Sequence, residues 1–128
     1  MSEFINNAFF WQKVDTLYFS SKLIITRKKG SRHPLYPNLI YPVDYGHLDD
    51  TNPEETGIEA FRGTVKTSHV DTIVICADIL KKDIEIKLLT GCTEEEENQI
   101  LHFLNQTDFQ KTVVIRRGDA IPAWALTE

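Results

Sequence analysis

Three prolines fall within nine residues, at Pro34, Pro37 and Pro42, and no helix can run through them. Each fixes its own φ, lacks a donor N–H and drives the residue before it toward extended backbone. Leu39, Ile40 and Val43 are apolar enough to anchor this run on a core. Residues 27–46 are therefore expected to form a stiff, well-placed loop and not a linker. Its charges are sorted. Five cations (Lys22, Arg27, Lys28, Lys29 and Arg32) come first, and no Lys or Arg follows until Arg62. The gap holds six carboxylates, Asp44, Asp49, Asp50, Glu54, Glu55 and Glu59. A basic arm, a Tyr/Pro loop and an acidic arm suit a site that holds a phosphate together with its metal. Cations and phenol hydroxyls take the oxygens, and carboxylates take a hard divalent ion. On charge alone, a solvated loop with segregated charges is the alternative.

The flanking segments read as short strands and two helices. Over residues 4–19, Phe10, Val14, Leu17 and Tyr18 follow helical spacing and predict a helix packed by an aromatic stripe. A partner interface is the alternative use of so many large apolar side chains near a terminus, and a homo-oligomer is expected from them. Residues 22–27 predict an isoleucine-rich strand, residues 45–48 the start of another, and residues 49–56 a turn around Asn52-Pro53. Residues 57–64 alternate Ile58, Ala60 and Arg62 against Glu59, Phe61 and Gly63. Residues 70–80 read as a buried strand. Residues 83–90 alternate Ile84, Ile86 and Leu88 against Glu85, Lys87 and Leu89, the pattern of a half-buried strand with Glu85 and Lys87 on one face. Thr93 and Glu96 form a capping box for a late helix whose apolar face is Ile100, Leu101 and Leu104, so Glu94 to Glu97 are read as structural. Residues 111–116 predict a last strand, and residues 121–126 a tail with one large aromatic, Trp124. The fold class expected is α+β, with a small, strongly bent sheet or barrel.

Ile24-Ile25-Thr26-Arg27 followed by Tyr41-Pro42-Val43-Asp44-Tyr45-Gly46 resembles the soluble family I inorganic pyrophosphatases. In that family an arginine ends a strand, and a Tyr-Pro-x-x-Tyr-Gly loop precedes a metal-binding acidic motif. The resemblance spans roughly residues 23–116. It implies a five-stranded, OB-like barrel flanked by helices, and hydrolysis of pyrophosphate or a related small phosphoanhydride with magnesium, or manganese or another divalent ion in its place. The family motif Asp-Gly-Asp-Pro-x-Asp corresponds to residues 54–59, which places its outer acids at Glu54 and Glu59 and its middle acid at Thr56. The family's later Asp-x-Lys corresponds to Glu85-Ile86-Lys87, with Asp83 as the acid a few residues earlier. The resemblance thus implies Glu54, Glu59, Glu85 and Asp83 as metal ligands. Arg27, Tyr41, Tyr45, Lys87 and Lys29 are implied on the substrate, with Glu54, Glu59, Arg27 and Tyr41 central to catalysis.

Glutamate stands where the family has aspartate, which carries the carboxylate about 1.5 Å further from the backbone. The family's N-terminal Lys-x-Glu strand has no counterpart, and its Tyr-Lys pair after the late helix falls at Gln106-Thr107. Longer acidic arms fit a rebuilt catalytic site, or a binding module for phosphate, nucleotide or metal that keeps the charge without turnover. An interaction protein using the aromatic helix and the Trp124 tail is a third reading.

At 128 residues the chain is long enough for one core and is read as a single domain over residues 1–128. A net charge of -5 argues against non-specific nucleic-acid binding. No apolar run has the length of a membrane span and no signal-peptide core is present, so a cytoplasmic protein without membrane contact is expected. Cys76 and Cys92 form no CxxC pair, and Cys76 is read as a buried free thiol. His33, His47, His69 and His102 lack zinc-site spacing.

Overall fold

The computed structural model describes residues 6–49, 51 and 57–118. Helix α1 (Ala8–Phe19) leads into strands β1 (Leu23–Arg27), β2 (Asp44–Leu48), β3 (Ile58–Arg62), β4 (Thr72–Asp78) and β5 (Asp83–Thr90); helix α2 (Glu94–Leu104) and strand β6 (Gln110–Arg116) follow. The strands form one open sheet in the order β1-β2-β3-β5-β4-β6. Its pairs are antiparallel except β3 with β5, which run parallel because β4 intervenes in the chain. The α+β class holds, with six strands where the resemblance implied five. No described helix is long and apolar enough to cross a membrane.

Each face of the sheet carries its own core. On one, Leu48, Ala60, Ile73 and Leu88 pack under Trp11 and Tyr18 of α1. On the other, Val43, Phe61, Val74, Cys76 and Leu89 pack under Ile100 and Leu104 of α2. Ala60 and Phe61 are adjacent and both fully buried, one in each core, as a central strand requires.

Helix α1 starts at Ala8 with Asn7 as its N-cap, and the expected start at Phe4 lies outside the described residues. Of the four residues its hydrophobic spacing predicted, Tyr18 is buried and Val14 packs against the same core, but Phe10 and Leu17 do not. Trp11, Asp15 and Tyr18 face the sheet, whereas Phe10 and Leu17 are largely exposed. Asp15 is the cause. Its carboxylate accepts from Val70 N–H at 2.7 Å and from Arg117 Nη1 at 2.9 Å, tying the helix to the segments before β4 and after β6. Arg117 in turn lies 5.7 Å from the Trp11 ring centre. A helix face that places Asp15 on these partners also turns Phe10 outward.

A second difference lies in β5. The predicted strand is present, but Ile84 and Ile86 face solvent and Lys87 is buried. Helix α1 covers the Ile73–Leu88 level of that face and leaves the far end open. Helix α2 begins as expected: Thr93 Oγ1 accepts from Glu96 N–H at 3.1 Å, and Glu96 Oε1 accepts from Thr93 N–H at 2.9 Å. Glu96 also accepts from Thr64 Oγ1 at 2.9 Å, and Glu97 binds Arg116 and Thr72, so both acids hold the helix to the sheet. Burial alone would raise the Glu96 carboxyl, but these hydrogen bonds hold it below its usual range. Both cysteines are free thiols; Cys76 is buried, and burial with nearby Glu96 and Glu97 pushes Cys92 up to about 12.

Candidate functional site

The residues singled out above converge because of strand register. Tyr45 pairs with Phe61 across β2 and β3, and Glu59 pairs with Lys87 across β3 and β5. Paired residues share a face, and Glu85 lies two positions from Lys87, so Tyr45, Glu59, Glu85 and Lys87 all point to the side that carries α2. Gly46 makes this packing of β1 on β2 possible. A Cβ there would sit 1.9 Å from the Ile24 carbonyl oxygen.

The proline-rich run folds back over this face. Arg32 bridges Ile40, Gly30 N–H donates to the Tyr41 carbonyl at 2.8 Å, and Tyr41 N–H donates to the Ser31 carbonyl at 2.9 Å. Tyr41 is thereby buried against Tyr45 and Phe103, with ring centres 5.3 and 4.7 Å away. A cleft of about 270 Å³ results between this loop, the sheet and the C-terminal end of α2. Tyr41, Tyr45, Glu59, Glu85 and Lys87 line it. Arg27 opens on an adjoining hollow shared with Tyr41, Tyr45 and Glu59.

At its floor is a nearly closed polar network. Lys87, with its side chain 7% exposed, donates to Glu59, to Glu85 at 3.3 Å and to the Tyr45 hydroxyl at 3.1 Å. Three acceptors match the three N–H bonds of an ammonium. Burial disfavours the charged lysine, but Tyr45 and the two carboxylates outweigh it and raise its pKa, so Lys87 is a fixed cation. Burial likewise works against an ionised Glu59, yet the charge and hydrogen bond of Lys87 hold its pKa below the ordinary value. Burial raises Tyr41 and Tyr45, which keeps both phenols protonated near neutral pH.

Other predicted residues lie elsewhere. Lys29 is exposed, and its backbone N–H, not its ammonium, is the group held, by Asp44 at 3.0 Å. Asp44 also accepts from Arg62 at 3.3 Å, and these contacts, the Lys29 N–H foremost, hold its carboxyl below its usual range. Asp83 is exposed at the start of β5 and accepts from Ile84 N–H at 2.8 Å; Asp78 of β4 reaches the cleft lining instead. Glu54 lies outside the described residues. Among the described residues, no group of three or more His, Cys, Asp or Glu is arranged to hold a metal ion. Glu59 and Glu85 together supply two carboxylates. Among the described residues, that pair is the donor type that a hard divalent ion takes alongside its own waters.

Sequence reasoning missed the other wall of the cleft, formed by His33, Tyr36, Phe103 and Phe109. Phe103 lies three residues after Ile100, so helical spacing carried the signal for it. His33 and Tyr36 sit inside the proline-rich run, where periodicity is silent. The His33 Nδ1 accepts from Leu35 N–H at 3.1 Å and Tyr36 N–H at 3.3 Å, which places the ring proton on Nε2. Burial, then Arg27 and Lys81, lower its pKa and keep the ring neutral.

No protein-family model matches the chain, and no curated protein matches its sequence. Among solved structures, a protein of Anaplasma phagocytophilum described as an inorganic phosphatase superposes with a TM-score of 0.48, at 11% identity, over 73% of this chain and 81% of its own. The inorganic pyrophosphatase of Helicobacter pylori superposes with a TM-score of 0.54, at 12% identity, over 77% of this chain and 85% of its own. The chain therefore has a pyrophosphatase-like fold.

Proposed function

We propose that the cleft binds pyrophosphate, or a related small phosphoanhydride, together with magnesium or manganese, and hydrolyses it. The observation that supports this most is the Lys87 ammonium held between Glu59 and Glu85 on the sheet face that also carries Arg27 and Tyr41. An ion pair of this kind can open to an incoming anion and cation without leaving a buried charge unmatched. Lys87 would turn to phosphate oxygens, and Glu59 and Glu85 would hold the divalent ion. When bound, that ion neutralises phosphoryl charge and acidifies a water. Arg27 presents a planar fork suited to phosphate oxygens, and the protonated Tyr41 hydroxyl can donate to them. Lys87, already desolvated, meets charge that develops on the leaving phosphate at little reorganisation cost.

Binding without turnover is the second reading. It is favoured by the absence, among the described residues, of a three-ligand metal cluster. Release of orthophosphate from pyrophosphate, with magnesium or manganese added, separates the two. The expected outcome is release that falls about a hundredfold in Glu59→Ala, the scale on which a misplaced catalytic group acts. Magnesium-dependent binding of methylenediphosphonate, read by calorimetry, with no release from pyrophosphate would leave the binding module. Neither binding nor release would remove both readings.

A further inference from the structure

The cleft has two unlike walls. One is the charged floor of Lys87, Glu59 and Glu85. The other is built from rings supplied by the proline-rich loop and the chain after α2. Tyr36 and Phe109 lie 5.9 Å apart between centres, and His33 lies 5.2 Å from Tyr36. Leu35 lines the same wall and is 75% exposed.

Pyrophosphate has little use for such a wall. Its surface is oxygen on every side, and an oxygen moved from water onto an aromatic face loses hydrogen bonds and gains none. The His33 imidazole does not compensate by charge, since its Nδ1 is occupied as an acceptor of two backbone N–H groups. What remains is a neutral ring. Apolar and aromatic walls with a few convergent polar groups are instead the make-up of sites for organic ligands, and the volume of about 270 Å³ lies just below their usual range of about 300–1,000 Å³.

We infer that the ligand of this cleft is a phosphate compound that carries a planar ring, as a nucleoside diphosphate does, with its phosphates at Lys87 and its ring against Tyr36 and Phe109. This inference rests on the phosphoanhydride reading above and narrows its substrate class. A ring stacked on Tyr36 recovers the apolar contact that a bare anion forgoes, and stacking tolerates different rings because each offers a π face. His33 Nε2–H can then donate to a ring acceptor or to an ester oxygen.

The test is calorimetric titration of the whole chain, in magnesium, with methylenediphosphonate and with the α,β-methylene analogue of ADP. The ring-bearing ligand is expected to bind roughly tenfold tighter, the scale of one base–aromatic stack. Tyr36→Ala is expected to abolish that advantage and leave methylenediphosphonate affinity unchanged. Tyr36 is 38% exposed, so the variant should keep its fold, which its circular dichroism spectrum checks. Equal affinities in the unmodified protein, or a Tyr36→Ala variant weakened equally for both ligands, would overturn the ring inference while the anion site stood. Binding of neither ligand would overturn both. Binding of the ring-bearing ligand alone would support the inference outright.

Discussion

Lys87 shows how one buried charge organises its neighbours. Its three N–H bonds are matched by Glu59, Glu85 and Tyr45, and the Tyr45 ring centre lies 5.3 Å away. Removing one partner of such a pair costs more than the pair itself contributes, because the other charge stays buried and unmatched. Lys87→Met is expected to lower stability at pH 7 by about 3 kcal/mol, the low end of the range for buried pairs, since Glu59 and Glu85 retain some solvent contact. The pH dependence should change. In the unmodified protein the Glu59 pKa is depressed, so its contribution is present above the ordinary glutamate range and is lost as pH falls through the folded value. The Lys87 pKa is raised, so its contribution persists below the ordinary lysine value and is lost only as pH rises through the folded one. Without Lys87, burial pushes Glu59 upward, and the variant should gain stability as pH falls toward the ordinary glutamate value. Urea unfolding at pH 7 and pH 5 reads this: over that window Glu59 and Lys87 leave the unmodified protein's stability unchanged while Lys87→Met gains, and the same trend in both proteins would contradict it.

At the scale of elements, α1 is held by charge as well as by apolar contact. Asp15 and Arg117 are 3% and 7% exposed, and the carboxylate also accepts the Val70 N–H. Asp15→Ala is expected to cost about 3–5 kcal/mol by stranding the guanidinium under Trp11. Phe10→Ala, on the exposed side, should cost less than about 1 kcal/mol. Thermal unfolding of the two variants decides whether Asp15 or Phe10 contributes more to docking the helix. Comparable losses would restore the aromatic stripe read from spacing. That stripe was legible, but the partner that competes with it was not: Arg117 lies 102 positions from Asp15.

The described residues form two cores, one on each face of a single sheet, and β3, β4 and β5 contribute to both. Sharing those strands couples the cores, so the domain is expected to unfold in one step. Trp11 is fully buried in one core and reports on it. In a Trp124→Phe background, its fluorescence and the far-ultraviolet circular dichroism should trace the same urea transition. Separated midpoints would show that the α1 core melts apart from the rest.

The sequence alone determined what local chemistry controls. Proline excludes helix from the run before β2, the Thr93–Glu96 capping box starts α2, and alternation sets β5, with Glu85 and Lys87 on one side. Tyr45, Glu59 and Lys87 are singled out by the resemblance of their segments to the family I inorganic pyrophosphatases. Alternation defines two faces of a strand but not which one will be covered. Coverage depends on elements distant in the chain, so it is fixed only when those elements pack together. Helix α1 stops short of Ile84 and Ile86, leaving isoleucine in solvent, while the proline-rich loop and α2 close over a lysine. The aromatic wall of the cleft has the same origin. His33 and Tyr36 are neighbours within one loop, but they line one wall with Phe103 and Phe109 only after the chain has folded back on itself.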